Sequence, residues 1–391
     1  MKTYNALILA LGLIIFASGP TLAQAPIKIG ASISLTGSYA KLGGYTQDGY
    51  LMCAKEVNDK GGLLGRKLEF VIYDDRSDAA TAIKLYEKLI TEDKVELMMG
   101  PYSSPITKAA STVSEKYKKI MVASLAAETA IWEQGYKYLF MTISPAEVYL
   151  EGLVELAAER GLKPVAIIHE DTSFAKAAAQ GAAALAKKKG MQVVMLEPYP
   201  KGSTDFSAQL IKMKALNPDV IVGGSYFDDA VATTRQMKEL DVNPKMFGVT
   251  VGGDVPDFGK QLAKNADYVY GSTQWAENLK YPGVKEFIEN YKKLYNREFS
   301  YHAPAAWSAC HIQAEAIRRA NALDSDKIRA ELLKLKTTTA FGDYQVDERG
   351  FQTAHKMVLI QWQEGKRVTV WPGNLSEAKP LYPTPPWSQR K

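Results

Sequence analysis

The sequence predicts an α/β protein of two doubly wound lobes, each built on a parallel sheet with helices on both faces. Short β-rich runs alternate with amphipathic helices from Ile27 onwards, which is the pattern of βαβ units. The same alternation restarts at about residue 145, which predicts a second sheet. The chain has 391 residues, too many for one ordinary hydrophobic core.

In the first half of the chain, β-branched and apolar runs predict strands over residues 27–30, 67–73, 95–99 and 120–123. Helical periodicity predicts helices over residues 43–58 and 105–117. A further helix follows Asp78, a residue type that caps helix N-termini. These elements form the first predicted lobe.

In the second half, helices are predicted over residues 145–160, 174–189, 206–216 and 228–240, and strands over 165–169, 192–196, 220–223 and 246–249. The pattern then changes, with a strand over 268–272, helices over 284–295, 303–321 and 325–335, and strands over 357–362 and 367–371. The Pro-rich tail from residue 372 is expected to wrap the surface.

The N-terminus predicts an export signal over residues 1–23. Met1-Lys2 precedes an apolar run from Ala6 to Ala17, and small residues at Ala23 and Ala25 offer two equally good cleavage sites. An uncleaved membrane anchor is the alternative, but the apolar run is shorter than the roughly 20 residues of a membrane span. We therefore expect a periplasmic protein of about 368 residues.

Composition excludes several classes of function. The formal charge is only +5 and its lysines are scattered, so no nucleic-acid partner is expected. The sequence has no GxSxG, phosphate-loop or HExxH motif, and its four histidines lie far apart. No catalysis, cofactor or metal is expected. Cys53 and Cys310 lie in helical patterns, so we expect two buried free thiols, although an exported protein can form a disulfide.

Ligands of open α/β sheets bind at the carboxyl ends of the strands, so the loops there are the candidate site. Ser104 follows a predicted buried strand at what reads as a helix N-cap, with Pro105 in the first turn. That arrangement binds anions, although a plain cap explains it equally well. Small residues after the next strand allow a close approach to backbone, and Phe174 and Tyr226 follow strands of the second lobe.

An ordered set of short motifs runs through nearly the whole mature chain. It comprises Ile29-Gly30 to Thr36-Gly37, Glu56 to Gly62, Gly65 to Leu68, Tyr73-Asp74-Asp75, Gly100 to Pro105, Asp205-Phe206-Ser207 and Gly350. With these motifs the chain resembles the periplasmic leucine/isoleucine/valine-binding proteins of ABC importers.

The resemblance implies a type I periplasmic binding protein fold, in which three hinge crossovers join lobes that close over a ligand. It places the crossovers near residues 142–143, 273–274 and 346. The first lobe then holds residues 26–142 and 275–345, and the second holds 143–274 and 346–391. A monomer with a small-molecule ligand and a membrane permease as partners is implied.

The resemblance also assigns the site. Ser104, the backbone of Leu125, and Ala127 match the residues that hold a ligand carboxylate, and Tyr226 and Phe174 match the aromatic contacts of the second lobe. Further side chains expected to line the pocket are Tyr39, Leu42, Tyr102, Tyr149 and Trp275.

One position departs from the family pattern. The acidic residue that binds the ligand's α-amine falls on or near Thr250, and Asp254 is a possible replacement. A buried ammonium without a charged partner is costly. The expected ligand is therefore an amino acid or a related carboxylate, with an aromatic or aliphatic acid or amide lacking an α-amine as the alternative. An exported α/β enzyme and a receptor's ligand-sensing module are the rivals from other classes.

Overall fold

The computed structural model describes residues 24–390, so the predicted export signal lies outside the described residues. Two large sheets organise this part of the chain. We call the part built on the five-stranded sheet the first lobe and the part built on the seven-stranded sheet the second lobe. Across the described range, we find no helix with both the length and the apolarity needed to span a membrane.

The sheet of the first lobe is wholly parallel, in the order β2-β1-β3-β4-β5. Its strands are β1 (Ile27–Ile33), β2 (Leu68–Asp74), β3 (Leu97–Met99), β4 (Met121–Ala123) and β5 (Leu139–Met141). The connecting helices are α1 (Ala40–Asp59), α2 (Ala79–Thr91) and α3 (Ser104–Tyr117). The predicted cap of α2 is present, since the Thr81 N–H donates to Asp78 Oδ1 at 2.7 Å.

The first helix of the second lobe is α4 (Glu151–Glu159). It is shorter than the helix predicted over 145–160, because a 3-10 turn at Ala146–Val148 precedes it. Its next elements are β6 (Pro164–Glu170), α5 (Ser173–Lys188), β7 (Gln192–Tyr199), α6 (Ser207–Leu216), β8 (Val220–Gly224), α7 (Phe227–Glu239), β9 (Met246–Val249), α8 (Pro256–Leu262) and β10 (Tyr270–Thr273). Strands β6 to β10 pair in parallel, as predicted.

The remaining elements are α9 (Val284–Tyr295), α10 (His302–Ala320), α11 (Ser325–Lys334), β11 (Thr337–Thr339), β12 (Gly342–Tyr344), β13 (Val358–Gln363) and β14 (Lys366–Trp371). Strands β13 and β14 add an antiparallel edge to the second sheet, whose order is β14-β13-β10-β9-β8-β6-β7. This antiparallel edge is an addition to the predicted parallel sheet, because the pairing of these two strands was not predicted. A two-residue turn, Glu364-Gly365 with both φ angles positive, reverses the chain directly.

The expectation of free thiols is also wrong. Helices α1 and α10 pack side by side, and Cys53 of α1 forms a disulfide with Cys310 of α10 across 257 residues of sequence. Two cysteines this far apart in the sequence, each in a helical pattern, give no local signal that they are in contact. The bond joins the start of the first lobe to the segment that returns to it late in the chain.

The C-terminal tail packs on the second lobe. The Trp387 side chain is buried, and its indole N–H donates to the Val242 carbonyl at 2.8 Å. This agrees with the expectation that the tail wraps the surface. The lobe boundaries within the crossovers stay a prediction.

Candidate functional site

A small cavity of about 10 Å³ lies where strand ends of the two sheets face each other. It is lined by Tyr102, Ser103, Ser104, Leu125, Ala127, Tyr149, Phe174, Tyr226, Val251 and Tyr301. The fold therefore brings together seven of the predicted site residues, from segments that follow β3, β4, β5, β6 and β8. A space of this size holds about one water molecule, so a larger ligand requires the surrounding side chains or lobes to move.

Ser104 is the first residue of α3, whereas the N-cap is Ser103, so the predicted cap position was wrong by one residue. The Ser104 Oγ accepts hydrogen bonds from the N–H groups of Ala127 at 2.9 Å and Glu128 at 3.3 Å. Both bonds use Oγ as the acceptor, so the hydroxyl proton remains for an acceptor in the cavity. The Leu125 N–H is also available, since it has no hydrogen-bond partner within residues 24–390. Two donors thus remain on this wall.

Aromatic rings from both lobes enclose the cavity. Tyr226 of the second lobe lies 4.6 Å from Tyr39, 6.3 Å from Tyr102 and 5.6 Å from Phe174, measured between ring centroids. Phe174 in turn packs edge-on against Tyr149 at 4.9 Å. The contacts of Tyr226 with Tyr39 and Tyr102 cross the interface between the lobes, so rings of both lobes lie over the cavity beside Ser104.

The loop that carries Tyr226 is fixed by buried polar contacts. The Asp229 carboxylate accepts from the Tyr226 N–H at 2.8 Å and from the Tyr199 hydroxyl at 2.6 Å. Gly252 has φ +93° and approaches so closely that a Cβ would lie 2.4 Å from the Tyr226 carbonyl oxygen. Only glycine fits there, because other residues would meet both strain and a clash.

Burial raises the pKa of Asp229 to about 7, and hydrogen bonds to its carboxylate oppose that shift only in part. Burial also raises the pKa of Glu170, at the end of β6, and one Glu170 carboxylate oxygen has no hydrogen-bond partner. The buried hydroxyls of Tyr39, Ser103 and Tyr226 are also unpartnered. Such groups are uncommon in folded proteins and point to polar contacts still to be made.

Thr250 and Leu42 are two of the predicted site residues that lie outside the small cavity. Thr250 is fully buried, accepts from the Ser225 N–H at 2.8 Å and donates to the Ser225 carbonyl at 2.7 Å. Its hydroxyl is therefore used within the second lobe and lines neither cavity described here. Leu42 belongs to the hydrophobic core and lines neither cavity.

Asp254 and Trp275 line a second, larger cavity of about 540 Å³, which we call the side cavity. Trp275 donates its indole N–H to the Ala340 carbonyl at 2.8 Å. Burial raises the pKa of Asp254 to about 6, although the nearby Arg367 opposes the shift. The sequence therefore grouped residues that the fold divides between two cavities.

Sequence reasoning missed Ser103, Val251 and Tyr301 as lining residues. Ser103 and Val251 neighbour predicted residues in the same loops, so a wider window would have included them. Tyr301 precedes α10, far from any strand end in the sequence, and only packing brings it to the cavity.

The described residues contain no group of three or more His, Cys, Asp or Glu side chains arranged to hold a metal ion. His302 is fully buried, and its Nδ1 lies 2.6 Å from the Ser300 hydroxyl. Burial lowers its pKa to about 3, so it is neutral at pH 7.

Comparisons with known proteins identify the family and the fold. The sequence model of the family described as "Periplasmic binding protein" matches residues 26–367. The Leu/Ile/Val-binding protein homologs 7 and 8 of Brucella suis biovar 1 are each 28% identical to this chain. The alignments cover 93% and 95% of this chain, respectively, and 96% of each relative.

Solved structures share the fold. LivJ of Streptococcus pneumoniae, a branched-chain amino acid transporter substrate-binding protein solved with isoleucine, superposes with a TM-score of 0.80 at 24% identity, covering 92% of this chain and all of that one. The leucine-binding protein LivK of Thermotoga maritima has a TM-score of 0.80 at 22% identity, covering 88% and 97%. The predicted fold class is thereby confirmed.

Proposed function

Because the chain belongs to the periplasmic binding protein family, within its leucine/isoleucine/valine-binding branch, we propose that it captures a small carboxylate-bearing ligand between its lobes and delivers it to an ABC importer. Proteins of this family bind solutes and do not catalyse reactions. The proposal includes export to the periplasm through residues 1–23 and a membrane permease as partner.

The observation that carries the proposal is the pair of free donors opposite a closing aromatic wall. The Ser104 hydroxyl proton and the Leu125 N–H lie on the first-lobe side of the cavity. Tyr226 and Phe174 face them from the second lobe. A carboxylate accepts several hydrogen bonds and suits such donors, and the aromatic rings exclude water from the contact.

The relatives favour an amino acid, since isoleucine is the ligand named for LivJ. Thr250 favours a second candidate, a carboxylic acid or amide without an α-amine. At the position that should hold the α-amine, its hydroxyl is already bonded to Ser225 at both donor and acceptor. A ligand lacking that amine avoids burying an unpaired ammonium.

Isothermal titration of the mature protein with α-amino acids and with matching acids that lack the amine tests both candidates. Ser104→Ala should weaken binding of the ligand found by about 10- to 100-fold, the effect of losing a hydrogen bond to a charged group. Ser111→Ala, on the same helix and bonded only to the Lys108 carbonyl, is the control and should bind normally. If no small carboxylate binds, or Ser104→Ala binds as the wild type does, the site assignment is wrong.

A further inference from the structure

The side cavity lies next to the small cavity of the cleft. Tyr301 lines both cavities, and its hydroxyl lies 3.4 Å from that of Tyr149, which lines only the small one. Tyr301 is therefore a wall that the two cavities share. At about 540 Å³ the side cavity has the size of an ordinary small-molecule site, whereas the small cavity does not.

Both lobes and a crossover build the side cavity. Asp254, Trp362 and Arg367 come from the second lobe, and Phe299 and Tyr301 come from the segment before α10. Trp275 follows β10 in the crossover. Because its walls belong to different lobes, closure of the lobes alters this space together with the small cavity.

Asp254 is the least satisfied polar group in this space. Its carboxylate is buried, Oδ1 has no hydrogen-bond partner, and Oδ2 accepts only long bonds from Thr273 Oγ1 at 3.4 Å and the Tyr301 N–H at 3.3 Å. A buried carboxylate normally gains a charged partner or several short hydrogen bonds.

Arg367 does not supply that partner. Its Nη1 donates to two backbone carbonyls, of Asp254 at 2.6 Å and of Phe299 at 3.1 Å. Its Nη2 lies 3.7 Å from Glu277 rather than against the Asp254 carboxylate. The Arg367 guanidinium therefore ties the two lobes together through the backbone and leaves Asp254 Oδ1 open to a donor.

The surroundings of Asp254 favour a cation. The lining of the side cavity carries four acidic and three basic side chains, and the rings of Trp275, Phe299 and Trp362 form part of its wall. Aromatic faces beside a carboxylate attract ammonium groups through both charge and the ring quadrupole.

We propose that the side cavity is the second compartment of the ligand site, and that Asp254 accepts a hydrogen bond from an ammonium group at the far end of the ligand. This inference rests on the proposed function, because the ligand's carboxylate is taken to lie at Ser104. The ligand class is then a carboxylic acid with a protonated amine separated from it by an aliphatic or aromatic spacer. The spacer passes Tyr301, which must shift to join the cavities.

Isothermal titration of the full mature protein with paired probes tests this. The pairs are γ-aminobutyrate with butyrate, δ-aminovalerate with valerate, and ε-aminocaproate with caproate. For at least one pair the amino acid should bind about 10- to 100-fold more tightly than its fatty acid, since one charged hydrogen bond distinguishes them. Asp254→Asn should reduce that ratio to near one.

Glu289→Gln is the matched control, because Glu289 is exposed and lines neither cavity, and it should keep the ratio. Ala276→Trp provides a second test should Asp254→Asn fail to fold. Ala276 lines the side cavity, so a tryptophan there should fill the space and weaken ε-aminocaproate far more than butyrate.

The outcomes separate this inference from the proposed function. If an α-amino acid or a fatty acid binds in a manner that depends on Ser104, but no ω-amino acid is preferred, the side-cavity inference is overturned and the proposed function stands. A preference that survives Asp254→Asn also overturns the inference. If no carboxylate of any kind binds, both fail.

Discussion

The two walls of the cleft differ in where their charge lies. The first-lobe wall presents a serine hydroxyl and a backbone N–H, at Ser104 and Leu125. The second-lobe wall presents Tyr226 and Phe174, with the buried carboxylates of Asp229 and Glu170 close behind them. The hydroxyl and N–H donors on the first wall do not ionise at ordinary pH, whereas burial raises the pKa of both carboxylates of the second, that of Asp229 to about 7.

This difference suits a division of roles. An anion can bind to the first wall because its donors are neutral and no carboxylate lies among them. At the second wall, the buried carboxylates would repel an anion when they are ionised. The lobes that carry the two walls also differ, since a disulfide crosslinks the first lobe and the C-terminal tail packs on the second. Three perturbations separate the contributions.

The largest effect is expected from the disulfide of the first lobe. Replacing Cys53 and Cys310 together by alanine should lower the free energy of unfolding by about 2–5 kcal/mol, because the bond closes a long loop in the unfolded chain. Denaturant unfolding measures this, with a reducing agent on the wild type as the parallel control. If the reduced and oxidised wild types unfold at the same midpoint, the bond does not stabilise the first lobe.

A smaller effect is expected from Asp229 on the second wall. Its folded pKa is about 7, above its ordinary value of 3.8, so between these values the folded state binds more protons than the unfolded state. The contribution of Asp229 to the free energy of unfolding is therefore fully present below about pH 4. It falls by a few kcal/mol as the pH rises to about 7. Asp229→Asn should flatten this part of the stability profile.

Urea unfolding between about pH 4 and 8 checks the Asp229 prediction through the difference between variant and wild type. Asp241→Asn, at an exposed position, is the control and should leave the profile unchanged. An unchanged profile in Asp229→Asn would show that this carboxylate ionises as freely as in the unfolded chain.

The smallest effect is expected from an ion pair that joins the two lobes. Lys41 of α1 in the first lobe pairs with Asp257 of α8 in the second, at a partly exposed position. Lys41→Met should weaken ligand binding by no more than about fivefold, because exposed pairs contribute about 0.2–1 kcal/mol. Lys55→Met removes a pair within one lobe and should not alter affinity. Equal losses in both variants would contradict a role in closure.

Local patterns predicted most of the fold. Strands such as β9 were placed correctly at both ends, and the cap of α2 at Asp78 was identified from residue type. One error arose where tertiary packing decided the local structure, at the 3-10 turn before α4. The antiparallel pairing of β13 and β14 was not predicted. The local signal for this hairpin is the two-residue turn Glu364-Gly365, in which both φ angles are positive.

The sequence by itself determined the two sheets and the loops that end on the cleft, because strand periodicity and turn residues act over a few neighbouring positions. The resemblance to a known family then placed Ser104, Leu125 and Tyr226 at one site. Only the tertiary structure decided which distant segments meet there: Cys53 with Cys310, Tyr301 beside Tyr149, and Asp254 with Trp275 in a separate cavity. Such contacts depend on how packed elements are oriented across hundreds of residues, which no short pattern records.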